Sequence, residues 1–357
     1  MGLSLRVGLL GAGFWARQAH VPALRGVEEL ELVACAGATL EEGRSFAAEQ
    51  GIPSAFDSFE RMLAEARLDL LAIVAPDDLH APATRLALER GVAVFCEKPL
   101  ANDARTALEL ARLEQDSPAL GTVGFSFRFS PALQAMAQDL RTGALGEPWF
   151  IELYEHNPQF HPTYGRPMNW NGDPAHAAAG ALFEYGSHAV DLARWLMGEP
   201  EAVSTCFTRV RPDARLDDIA TLQLRFGERA SGILVASWVL AGGFPGIKVR
   251  LHASEALGEA VLDESVPGGE RYTRSSGDAR IVEQVELEQK GDAMSAYARR
   301  HYQELLRVLE GRDSDWLPRL YDGAATQVVL EAALEATESW VKVEPTRQRS
   351  GTVGASS

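Results

Sequence analysis

Val7-Gly8-Leu9-Leu10-Gly11-Ala12-Gly13-Phe14-Trp15-Ala16 is the stretch whose reading decides the fold. The apolar run Leu5–Leu10 stops at glycines, and residues 14–26 then follow a helical pattern. The spacing predicts a strand, a tight turn and a helix. Within it, Gly11, Gly13 and Ala16 form a G-x-G-x-x-A pattern. Gly11 permits the turn out of the strand, Gly13 lets the backbone approach a pyrophosphate, and Ala16 allows close helix–strand packing. The N–H groups opening the helix then face the phosphates. Alone the pattern is weak, because any glycine turn of an α/β protein can match it. Its position after a first strand and before a helix is what points to dinucleotide binding.

The neighbouring sequence continues the alternation. Strands are expected at Leu30–Ala36, 68–75, 92–96 and 121–125, with helices at 41–50, 81–90 and 103–114. The 68–75 run is almost wholly apolar, as a strand buried on both faces should be. Repeated βα units of this length predict a doubly wound parallel sheet, here assigned to a Rossmann domain over residues 1–126.

Beyond it the rhythm changes. Strands are expected at 149–156, 202–210, 219–226, 230–240, 247–253 and 260–263, mostly without helices between them. This predicts a second α/β domain over 127–342 with a large, mostly antiparallel open sheet. Helices are expected at 180–197, 294–310 and 322–341. A polar tail over 343–357 has the composition of a disordered end.

At 357 residues the chain has room for two domains of ordinary size. Lys and Arg number 34 against 50 Asp and Glu, a formal charge of −16, which disfavours general nucleic-acid binding. The three cysteines, Cys35, Cys96 and Cys206, give no disulfide framework. No secretory leader or membrane span is read, so a cytoplasmic protein is expected. No metal site is expected.

The dinucleotide fingerprint normally includes an acid at the end of the second strand, where it binds the adenosine ribose. Here Gly37 stands at that point. Thr39 and Arg44 are near enough in sequence to meet a 2′-phosphate, so the cofactor expected is NAD(P) with a weak lean to NADP.

Chemistry is expected at two places. Lys98, in Glu97-Lys98-Pro99, follows a strand at its carboxyl end, where ligands of open α/β sheets sit. A solvated loop lysine is the plain alternative. Glu184, His188 and Asp191 are spaced to share one face of a largely apolar helix. A buried polar stripe needs partners, supplied by a lined pocket or by an internal network.

With these residues, the chain resembles the Gfo/Idh/MocA family of NAD(P)-dependent oxidoreductases over nearly its whole length. The resemblance rests on Gly11–Ala16, on Ala75-Pro76-Asp77-Asp78-Leu79-His80, on Glu97-Lys98-Pro99-Leu100, on 124–131, on the turn 143–146 and on the Glu184–His188 helix. It implies cofactor contacts from Gly11, Gly13, Phe14, Trp15, Ala16, Ala75, Pro76, His80, Glu97 and Lys98, beside Gly37 and Thr39. It implies a sugar, inositol or related polyol as substrate, and homodimers or homotetramers formed through the open sheet. Lys98, Glu184 and His188 map onto the family's catalytic group. Glu184 departs from the Asp more usual there, which lengthens the side chain by one carbon.

The reaction implied is hydride transfer between the nicotinamide and a secondary alcohol or ketone. His188 is expected as base, Lys98 as the donor that stabilises alkoxide charge, with these two roles exchangeable. Glu184 is expected to orient His188 or bind a neighbouring hydroxyl. Arg128, His156 and Trp170 are candidate substrate contacts. Each has an ordinary structural alternative, a domain-bridging ion pair in the case of Arg128. Two other readings of the chain stay open: a redox-cycling glycosidase and a non-catalytic dinucleotide sensor.

Overall fold

The computed structural model describes residues 4–163, 165–168, 172–174, 179–240, 245–263, 269–276, 293–337 and 339–344. Trp170 and the tail from 345 onward lie outside the described residues.

Six parallel strands build the first sheet: β1 (Leu5–Leu10), β2 (Leu30–Ala36), β3 (Ser54–Phe56), β4 (Leu70–Ile73), β5 (Ala93–Cys96) and β6 (Gly121–Val123). Their order is β3-β2-β1-β4-β5-β6, the doubly wound arrangement, with α1 (Val21–Arg25), α2 (Leu40–Gln50), α3 (Phe59–Glu65), α4 (His80–Glu89) and α5 (Ala104–Asp116) between them. Strands β4 and β5 are buried along their whole length, which their unbroken apolar sequence requires. Strand order reverses between β1 and β4, the place where an open α/β sheet offers a ligand crevice beyond its strand ends.

α6 (Pro131–Arg141) leads into the second sheet. Its strands are β7 (Pro148–His156), β8 (Ala202–Thr208), β9 (Ile219–Phe226), β10 (Ala230–Ser237), β11 (Gly246–Ala253), β12 (Leu257–Asp263), β13 (Glu270–Ser275) and β14 (Val341–Lys342). They lie in the order β13-β12-β11-β7-β10-β9-β8-β14. All pairs are antiparallel except β7 with β10, so the expected mostly antiparallel sheet is present.

The helix expected over 180–197 is broken for one residue. α7 (Ala181–Glu184) and α8 (Gly186–Met197) meet at Tyr185. α9 (Ala293–Leu309) and α10 (Leu320–Glu335) complete the chain. α10 packs on both α5 and α8, and its Leu320 and Ala324 join the core of the first sheet. The C-terminal helix thereby ties the two sheets together.

Candidate active site

Gly11 follows β1 with φ +113°, and a Cβ there would stand 2.0 Å from the Val74 carbonyl oxygen. Only glycine fits. A Cβ on Gly13 would meet nothing within 4 Å, so this backbone faces open space, as the approach of a pyrophosphate needs. Ala16 is fully buried where the helix packs on the sheet. Phe14 and Trp15 are 70% and 46% exposed, beside that open space rather than in the core. The loop therefore has the form of a dinucleotide cradle.

The ends of β4 and β5 supply the next layer. Lys98 follows β5 and its Nζ lies 3.2 Å from Glu184 Oε2 and 3.1 Å from the Glu184 carbonyl oxygen. Burial pulls the ammonium's pKa down, but the carboxylates of Glu184, Asp77 and Glu97 outweigh it and hold Lys98 above its ordinary value. Lys98 is a fixed cation at neutral pH.

Glu97 is held from behind. Its Oε1 lies 2.9 Å from His20 Nε2, and His20 Nδ1 lies 2.7 Å from the Tyr302 hydroxyl on α9. Burial would raise this carboxyl, yet His20 and Lys98 together hold it low. Gly124 makes room for it, since a Cβ there would come within 2.7 Å of Glu97 Oε1.

His188 sits at the start of α8 against Phe127 and Phe125, with ring centroids 4.8 and 6.1 Å away. Its Nδ1 is buried with no hydrogen-bond partner among the described residues. Burial in this apolar box, with help from the Lys98 charge, pushes its pKa down to about 3. The ring is neutral at physiological pH. Fixed cation, neutral imidazole and surrounding carboxylates thus converge on one crevice.

Glu184 engages Lys98 through its carboxylate. Asp191 pairs with Arg128. Arg128 is buried and forms an ion pair with Asp191, Nε to Oδ2 at 2.8 Å, and with Asp322 on α10 at 3.2 Å. Nε and Nη2 of its guanidinium are engaged inside the protein, which favours the ion-pair alternative for Arg128 over a substrate contact. A buried cation keeps its charge only with such partners.

Along β7, Ile151, Leu153 and Glu155 are buried toward the helices, and the alternation puts His156 on the opposite face with Tyr154, whose ring centroid is 5.7 Å away. His80 is buried instead of facing the crevice. Its Nδ1 lies 2.6 Å from the Pro99 carbonyl and its Nε2 2.9 Å from the Ala75 carbonyl. Two carbonyl acceptors require two ring protons. Burial opposes the charge, but Cys96, Asp77 and the Pro99 carbonyl push the pKa up to about 10. His80 thereby ties the segment after β4 to the segment after β5.

Two residues of this site were not singled out from sequence. Asp77 is half-buried after β4, and burial raises its pKa against the pull of His80 and Lys98. Its place at a strand's carboxyl end was the available signal. Glu42, in the first turn of α2, folds back over Gly37 and Ala38, and Thr39 caps the same helix.

Comparison with known proteins agrees with this geometry. Residues 5–125 match the oxidoreductase family with an NAD-binding Rossmann fold, and residues 133–257 match the Gfo/Idh/MocA C-terminal domain. Inositol 2-dehydrogenase 4 of Saccharopolyspora erythraea is 30% identical over 252 residues, 70% of each chain. Inositol 2-dehydrogenase 1 of the same organism is 28% identical over 356 residues, 96% of each chain. The solved apo structure of levoglucosan dehydrogenase shares the fold, with a TM-score of 0.86 at 21% identity over 97% of this chain and all of that one.

Proposed function

Since the chain belongs to the Gfo/Idh/MocA oxidoreductase family, we propose that it is an NAD(P)-dependent dehydrogenase or reductase acting on a secondary alcohol or ketone of a sugar, inositol or related polyol. The observation that carries this is the pairing of a Lys98 ammonium held by Glu184 with a neutral His188, at the carboxyl ends of strands that also carry the dinucleotide cradle.

When bound, the dinucleotide accepts or returns a hydride. The chain's own residues handle the proton and the charge. Lys98, already ionised, donates a hydrogen bond to the substrate oxygen and stabilises negative charge there. It is a poor base because its ammonium is held above the ordinary pKa. Neutral His188 has the lone pair to receive the hydroxyl proton at Nε2. With a pKa of about 3 it takes that proton only as the hydride leaves and the hydroxyl turns acidic. These considerations favour His188 as base and Lys98 as charge stabiliser over the exchanged roles. Glu184 positions Lys98.

The same reading includes a homo-oligomer joined through the face of the second sheet opposite its helices. Half-buried Tyr154, Ile233 and Val235 lie on that face beside the Glu152–Arg250 ion pair. It also includes the cytoplasm as location. Three unpaired cysteines fit a reducing compartment, and among the described residues no helix is long and apolar enough to cross a membrane. The sequence-based lean to NADP assumed no carboxylate near Gly37, and Glu42 removes that assumption.

The test is a screen of polyols and sugars with each cofactor, read at the nicotinamide absorbance, with Lys98→Met beside the unmodified protein. The expected result is net cofactor turnover that Lys98→Met abolishes while dinucleotide affinity stays within a few-fold. Turnover unchanged in Lys98→Met sinks the assignment. Substrate conversion without net cofactor change points to internal redox cycling.

A further inference from the structure

The end of β2 is closed to a side chain at position 37. A Cβ on Gly37 would stand 2.7 Å from the Gly43 backbone nitrogen and 3.0 Å from Glu42 Oε2. The loop crosses the start of α2 so closely that a β-carbon has no room, and an acid at 37 is sterically barred.

A carboxylate is nevertheless present at that spot. Glu42 Oε2 accepts a hydrogen bond from the Ala38 N–H at 2.7 Å, and the Glu42 N–H donates to Thr39 Oγ1 at 3.2 Å. These two bonds fix the turn and hold the side chain folded over the strand end. Glu42 is exposed, and no Lys or Arg pairs with it among the described residues. Arg17 is engaged by Glu49 and by the Ala12 carbonyl. Arg44, two residues along the helix from Glu42, projects from a different face.

We propose that Glu42 does from α2 what an acid at the end of β2 does in other dinucleotide-binding domains, and that it makes this chain prefer NAD(H) to NADP(H). One carboxylate oxygen is anchored by Ala38 and the other is left to accept from the adenosine ribose hydroxyls. A 2′-phosphate brought to the same place meets a fixed negative charge with no cation to offset it. A helix-capping role explains the Ala38 bond but has no need of the charge, because a glutamine oxygen accepts that bond equally well. The inference rests on the dinucleotide reading of the preceding subsection.

The experiment is a fluorescence titration with NADH and, separately, NADPH, on the unmodified protein and on Glu42→Gln and Glu42→Lys, with thermal melting alongside. The unmodified protein is expected to bind NADH at least about tenfold more tightly than NADPH. Glu42→Gln keeps the cap and the melting temperature and is expected to reduce that ratio by about tenfold. Glu42→Lys is expected to carry the ratio further toward NADPH. Tighter binding of NADPH by the unmodified protein overturns the proposal, as does a ratio that neither substitution moves. Binding of neither nucleotide is a different result: it refutes the dinucleotide reading and takes this inference with it.

Discussion

One residue holds the Lys98 ammonium twice: Glu184 Oε2 lies 3.2 Å from Nζ, and the main-chain carbonyl of Glu184 accepts from the same nitrogen at 3.1 Å. The carbonyl fixes position and the carboxylate adds charge, so the two contributions are separable. In Glu184→Gln the carbonyl stays and the charge goes. Turnover is expected to fall by about 10- to 100-fold. The alkaline limb of the pH–rate profile should move to lower pH, because Lys98 then loses one of the carboxylates that hold it protonated. Dinucleotide affinity should stay within a few-fold. An unmoved alkaline limb would show that Glu184 does not set the charge of Lys98.

The His188 pKa of about 3 has two measurable signs. First, kcat/KM should show no acid limb from His188 near the ordinary imidazole pKa of about 6.5. Second, the unfolded chain takes up a proton at this position before the native one does. Stability should therefore fall as pH drops from about 6.5 toward 3. His188→Gln should remove part of that slope, read by urea denaturation at neutral and acidic pH. An equal slope in both proteins would place the native imidazole near its ordinary pKa.

Arg128→Ala should leave Asp191 as an uncompensated buried charge and cost about 3–5 kcal/mol of stability. Activity of the folded fraction should change little, because Arg128 is buried and paired with Asp191 and Asp322. A large loss of kcat/KM with unchanged denaturation midpoint would return Arg128 to the substrate site.

His80 differs from His188 in sign. Its native pKa of about 10 lies above the unfolded value, so its protonation supports the fold fully below about pH 6.5. That support declines as pH rises and is gone above about 10. His80→Gln should cost about 1–3 kcal/mol at pH 6. The gap from the unmodified protein should narrow on the alkaline side. A gap independent of pH would mean a neutral ring in the native state.

The phosphate loop was legible because its constraint is local. Gly11 must be glycine for a clash with Val74, next to it across the sheet, and the pattern of neighbouring residues announces the strand and the helix. Lys98 was singled out because it stands where topology delivers ligands, and His188 because it belongs to a polar stripe on a largely apolar helix. The pairing of Arg128 was not legible, since its partner Asp191 is 63 residues away and only packing reveals that the two meet. For His156 the strand position was clear, but which face of β7 meets the helices is decided by the whole sheet. Tyr185 interrupts a helix whose apolar periodicity runs through it unbroken. The Thr39-x-x-Glu42 pattern of a capping box was present in the sequence, and it was the signal from which a carboxylate above Gly37 could have been read.

The Lys98–Glu184 contact joins the loop after β5 to α7, and the Tyr302–His20–Glu97 chain joins α9 to the other flank of the same loop. Neither half of the molecule therefore owns a working centre. A graft of residues 5–125 onto the second half of a relative would carry the cradle intact but leave Lys98 and Glu97 to whatever neighbours that half provides. Divergence among such proteins is constrained at this seam: substrate preference can drift on the second sheet, while the residues that clasp the lysine loop from across the boundary must change together or not at all.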